Sequence, residues 1–119
     1  MIEDVEINGN IFYAKVSNMI TKEDVESVIP KVEEIINKHG KIKCLIFLNE
    51  VKGYTIDGFL ADFGFYFKNK NAFNTMAIVG DKAFEKAMTE LMDKFLPGKA
   101  KYFDSSKLAE AKDWINKTA

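Results

Sequence analysis

Residues able to do chemistry are few in this chain: one histidine, His39, and one cysteine, Cys44. His39 stands in NKHG at the end of a helical pattern, where a positive side chain suits the helix dipole. Cys44 lies inside the apolar run IKCLIFL, so a small buried hydrophobe is expected rather than a reactive thiolate. One cysteine excludes an internal disulfide, and one cysteine with one histidine excludes a multi-Cys or multi-His zinc site within one chain. A Ser-His-Asp triad would need His39 itself, and no nucleophile elbow is in sight. Carboxylates are plentiful, but Glu33-Glu34, Asp62 and Glu85 fall on helix faces expected to be solvated. Gly80-Asp81 follows a strand and opens a helix, a place where a backbone nest could hold an anion. The acid there would repel phosphate, so a turn and cap is expected. The reading is a non-enzyme with no cofactor and no metal.

Composition narrows the partners. A chain of 119 residues with 47% hydrophobic and 29% charged residues is one globular domain, read as spanning residues 1–119. The net charge of −1 gives no field for nucleic acid, and all 17 basic residues are lysine. Without arginine, bidentate recognition of phosphate or guanine loses its usual agent, so no nucleic-acid partner is expected. The longest apolar run, Cys44 to Leu48, is far short of a transmembrane segment. The acidic, alternating start MIEDVEING is unlike a secretory signal, and a cytoplasmic location is the expectation.

The elements that must position any site follow from periodicity. Residues 2–7 and 11–17 read as antiparallel strands joined at Asn8-Gly9-Asn10. Thr21 opens a helix whose apolar face holds Val25, Val28, Ile29, Val32, Ile35 and Ile36, ending at Gly40. Pro30, on the polar side, predicts a kink or restart. Residues 42–48 read as a buried strand, 49–55 as a loop and 57–69 as a helix. Residues 75–80 form another strand, and Asp81 is expected to cap a helix carrying Phe84, Met88, Leu91, Met92 and Phe95 on its core face. Pro97-Gly98 breaks that helix. A strand at 100–103 and a helix at 106–117, capped from Asp104 and its serines, complete the order ββαβαβαβα. The fold class is α/β: an N-terminal hairpin, then alternating units, giving a mixed, mainly parallel five-stranded sheet packed by four helices.

The helix at 57–69 contains GFLADFGFYFK, dense in aromatic residues. At 100° per residue, Ile56, Phe59, Leu60, Phe63, Tyr66 and Phe67 share an arc of about 120°, the width of a core-facing side. Those residues are expected inside. Phe65 projects the other way, beside Asp57, Ala61 and Lys68. It is either a single exposed residue or the centre of a contact surface with Ala61 and Phe73.

The order of elements, and the second half in detail, resembles the SpoIIAA-like family, a branch of the STAS and CRAL-TRIO type fold. The likeness is carried by Gly53-Tyr54, Asp62-Phe63-Gly64 and Ala77-Ile78-Val79-Gly80-Asp81. It continues through Phe95, Pro97, Tyr102-Phe103, Glu110-Ala111 and Trp114, and covers nearly the whole chain. These are packing and turn positions, which bear on fold more than on activity. STAS proteins of the anti-anti-sigma type carry a phosphorylatable serine in an Asp-Ser-Ser-Gly-like motif where the helix after the third strand begins. Here that place reads Tyr54-Thr55-Ile56-Asp57-Gly58: the glycine matches and the serines are missing. Thr55 is the nearest hydroxyl and reads as a helix cap. Asp104-Ser105-Ser106 occurs after the last strand, the wrong element for that switch. The resemblance therefore implies a non-enzymatic, regulatory STAS-like interaction module without the usual serine. Its surface is expected at Tyr54, Thr55, Asp57, Gly58, Ala61, Phe65 and Phe73, for a protein partner or a second copy in a homodimer. The alternative is a carrier or sensor of a small hydrophobic, lipid-like ligand, suggested by the CRAL-TRIO likeness and by Met88, Met92 and Phe95.

Overall fold

The hairpin that opens the chain turns at Gly9-Asn10, where Gly9 takes φ 62°, and pairs β1 (Ile2–Asn8) antiparallel with β2 (Ile11–Ile20). In this computed structural model, which describes residues 1–118, helices and parallel strands then alternate. The elements are α1 (Lys22–His39), β3 (Ile42–Tyr54), α2 (Ile56–Lys68), β4 (Phe73–Gly80), α3 (Ala83–Phe95), β5 (Lys99–Asp104) and α4 (Leu108–Lys117). The strands lie in sequence order, β1-β2-β3-β4-β5, with every pair after the first parallel. This is the expected α/β single domain.

Alternation along the strands sends side chains to two cores. On one face, Phe12, Ala14, Ile42, Cys44 and Phe73 pack with Val32 and Ile35 of α1 and with Phe65 and Tyr66 of α2. On the other, Ile11, Leu45, Ala77, Val79 and Phe103 receive Ala111 and Ile115 of α4. Local sequence explains the first helix. Thr21 accepts from Asp24 N over 3.2 Å while Asp24 Oδ2 accepts from Thr21 N over 2.9 Å, a reciprocal cap. Gly40, at φ 76°, ends the helix in the left-handed conformation. Pro30 lies within the helix, which runs unbroken past it.

Three boundaries differ from the sequence reading. Residues 49–54, read as loop, continue β3, with Glu50 at φ 56° beside a register shift. Asp81 does not cap α3; Lys82 occupies that position without a side-chain hydrogen bond. Asp104 caps a short 3-10 turn, Ser105–Lys107, before α4 begins.

Candidate functional site

The strand-to-helix junction at Tyr54 to Gly58 is built closely. Thr55 is the N-cap of α2: its hydroxyl accepts from Gly58 N over 3.1 Å and donates to Asp57 Oδ1 over 2.7 Å. Gly58 is buried because the helix approaches the end of β2. A Cβ there would lie 2.6 Å from Ile20 O and 2.8 Å from Thr55 Oγ1. Tyr54 donates to Asp62 Oδ2 over 2.5 Å. Burial pushes the Asp62 carboxyl above its usual range, with the Tyr54 bond pulling the other way. Burial, with the Asp62 charge and hydrogen bond adding to it, also raises the Tyr54 phenol. Asp62 is thus half-buried and paired, not on a solvated face as its position suggested.

From that anchor α2 runs turned from the expected phase: of the six residues expected inside, Tyr66 alone packs there. Gly58 is buried, and Ala61, Phe65 and Tyr66 pack against the inner clusters. Phe65 meets Phe73 edge to face at 6.4 Å, and Phe73 is 9% exposed. The surface expected at Ala61, Phe65 and Phe73 is therefore core. Outside lie Ile56, 85% exposed, with Phe59, Leu60, Phe63 and Phe67. Phe59 and Phe63 stack at 4.4 Å and Phe67 follows Phe63 at 6.2 Å, a ladder along the outer side.

Helix α3 is turned in the same sense. Its inner side carries Glu85, 6% exposed, and Thr89, whereas Phe84, Met88, Leu91 and Phe95 point out. The buried polar groups find partners nearby, as burial requires. Tyr102 donates to Glu85 Oε1 over 3.2 Å, and Thr89 donates back to Glu85 O over 2.8 Å. Gly80 leaves the room in which the Glu85 carboxylate lies. Lys82 Nζ reaches Val51 O over 3.2 Å and ties the start of α3 to β3. Glu85 was expected on a solvated face, and the Phe84 to Phe95 stripe inside; both expectations are reversed. Met92 alone of that stripe turns inward, beside Tyr66, Phe73 and Met76, at a cleft of about 10 Å³ between the two helices.

The remaining candidates are quieter. Cys44 is buried and its thiol is pushed up to about 12, first by burial and then by the Asp62 charge, so it is no thiolate. Among the described residues, no three His, Cys, Asp or Glu side chains gather to hold a metal. Asp104 and Ser106 hydrogen-bond each other at the turn before α4. Among the described residues no helix is long and apolar enough to cross a membrane. The outward faces of α2 and α3 escaped the sequence reading. Periodicity carried no signal for them, because it marks an apolar side without saying what covers that side.

A family model described as SpoIIAA-like matches residues 11–116. Among solved structures, an uncharacterized protein of the DUF3478 family with a SpoIIAA-like fold, from Shewanella loihica PV-4, is 26% identical. It superposes with a TM-score of 0.78, over 97% of this chain and 92% of that one. The anti-sigma factor antagonist SpoIIAA, in its unphosphorylated form, superposes with a TM-score of 0.67 over 99% of this chain and all of that one. At 9% identity, that likeness shows the fold alone. No curated protein matches the chain significantly. Matched from β2 through α4 and sharing the fold of both solved structures, the chain belongs to the SpoIIAA-like family.

Proposed function

We propose that this chain is a non-enzymatic, regulatory module of the STAS type that docks a protein through the outward faces of α2 and α3. One observation carries the reading: nine large apolar side chains of these two helices are exposed, five on α2 and four on α3. Soluble monomers rarely leave more than about 300–600 Å² of contiguous apolar surface uncovered, and larger patches mark interaction sites. The Thr55 junction, where relatives of the anti-anti-sigma type hold their serine, lies at the start of the same helix. Its hydroxyl is committed to capping, so docking here works without the phosphoswitch.

A carrier of an apolar ligand would need an enclosed cavity of about 300 Å³ or more. The cleft between α2 and α3, at about 10 Å³, holds roughly one water, and the larger hollow, about 240 Å³ between the β1–β2 turn and the end of α1, is open to solvent and rimmed by Lys31, Glu34, Lys38 and His39. The test is a photo-crosslinking side chain placed at Leu60, on the outer face of α2, with a control at Lys112 on α4. Irradiation in cells and mass analysis of the adducts reads what covers the face. Protein adducts at Leu60 but not at Lys112 are expected. Lipid adducts at Leu60, or equal labelling at both positions, would overturn the reading.

A further inference from the structure

We propose that the occupant of the α2–α3 face is a second copy of this chain, the two packed antiparallel as an isologous dimer. This rests on the reading that the face docks a protein, and it names that protein.

Area is the first argument. With about 200 Å² available on each large apolar residue, the fractional exposures leave on the order of 1,000 Å² of apolar side chain on the two helices. A stable interface needs about 800 Å² per partner. The two stripes together reach that area, without loops or the sheet edges. Its pattern also suits a helical partner. Ile56, Phe59, Leu60, Phe63 and Phe67 recur at three- and four-residue intervals, as do Phe84, Met88, Leu91 and Phe95. Such stripes pack ridges into grooves against helices of the same kind.

Charge is the second argument. On α2, Asp57 lies in the first turn and Lys68 in the last, both exposed. Antiparallel packing of α2 on its counterpart brings the acidic first turn of each helix to the basic last turn of the other; parallel packing would bring like ends together. The same balance disfavours a lipid surface. Among the exposed charges, Asp57 balances Lys68 on α2, and Glu90 and Asp93 balance Lys86 and Lys94 on α3. An interfacial helix draws on a surplus of lysine and arginine, which these helices lack.

Sedimentation of the full chain over a concentration series tests this. A dimer is expected at about 100 µM, dissociating on dilution. Leu60→Glu combined with Phe67→Glu buries charge in the interface and should raise the dissociation constant at least about thirty-fold. Circular dichroism checks that the variant is folded, and Lys112→Glu on α4 should leave association unchanged. Lys68→Asp alone should weaken the dimer about five-fold, with Asp57→Lys in the same chain restoring it. A chain monomeric at every concentration overturns the proposal, as does a dimer indifferent to the Leu60 and Phe67 changes. A monomer that floats with phosphatidylserine vesicles overturns it in favour of a lipid surface. If the chain is monomeric while Leu60 crosslinks to a different protein, the dimer fails and the docking reading stands. If Leu60 captures no protein, both fail.

Discussion

Phe59 and Phe63 stack with ring centroids 4.4 Å apart on the side of α2 that faces away from the sheet. Two residues further on, Phe65 closes edge to face on Phe73 in the core. The contrast sets the energetics of the helix. Phe65→Ala should cost about 2–4 kcal/mol, because it opens a gap beside Phe73 in the inner cluster. Phe63→Ala should cost about 1 kcal/mol or less in the monomer, since it forfeits only ring contacts at the surface. Urea midpoints of the two variants, measured in dilute solution, give the ranking; the reverse order would put the aromatic ladder inside.

Gly58→Ala should destabilise the chain by about 2 kcal/mol or more, since the added methyl overlaps Ile20 O and Thr55 Oγ1 and the backbone must shift. The same change at Gly64, which has open space around it, should be neutral or slightly stabilising, as expected for alanine in a helix. Thermal unfolding of the pair separates the anchored end of α2 from its free middle.

Thr55→Ala should cost about 1 kcal/mol, the loss of an N-cap. Thr55→Ser keeps the cap and should restore most of it. Phosphopeptide mass spectrometry of the protein from its native cells is expected to find Thr55 unmodified, because its hydroxyl is engaged by Gly58 N and Asp57. Phosphate recovered there at appreciable occupancy would bring back the switch that the missing serine removes.

Asp62 gives a pH prediction. Its carboxyl is raised in the folded state from 3.8, chiefly by burial, so the folded chain holds this proton more tightly than the unfolded one. Stability from this group is therefore present below 3.8 and is lost as pH rises through the folded value. Asp62→Asn, which cannot ionise, should gain on the wild type as pH climbs through that window. Tyr54→Phe removes the hydrogen bond that holds the carboxyl down and should move the window upward. Carbon-13 titration of the Asp62 carboxyl in both backgrounds measures the shift; an unshifted carboxyl would mean the pair is solvated.

The order and pairing of elements were legible because each rested on a local device. The Gly9-Asn10 turn, the Thr21 cap and Gly40 stop, the apolar run around Cys44 and the break at Pro97-Gly98 each act within a few residues. The orientation of α2 and α3 was not legible. Amphipathicity divides a helix into two sides, but it does not say which side meets the sheet when something else can cover the apolar one. At α2 the choice was made by contacts with residues outside the helix: Gly58 against Ile20, Asp62 with Tyr54, Phe65 against Phe73. At α3 it was made by Glu85 lying over Gly80 beneath Tyr102. Of the residues first assigned to a surface, Tyr54, Thr55 and Asp57 do frame the start of the exposed helix. Gly58, Ala61 and Phe65 pack inside instead, because the helix is turned about its axis from the expected phase, and Phe73 of β4 lies in the core against Phe65.

Hydroxyl-radical footprinting of the chain in dilute solution tests the outward apolar face most directly. Oxidation read residue by residue should mark Phe67, Phe84 and Phe95 heavily while Phe12, Phe73 and Phe103 stay protected. Protection of Phe67 and Phe95 in dilute solution, with Phe65 oxidised in their place, would contradict the account.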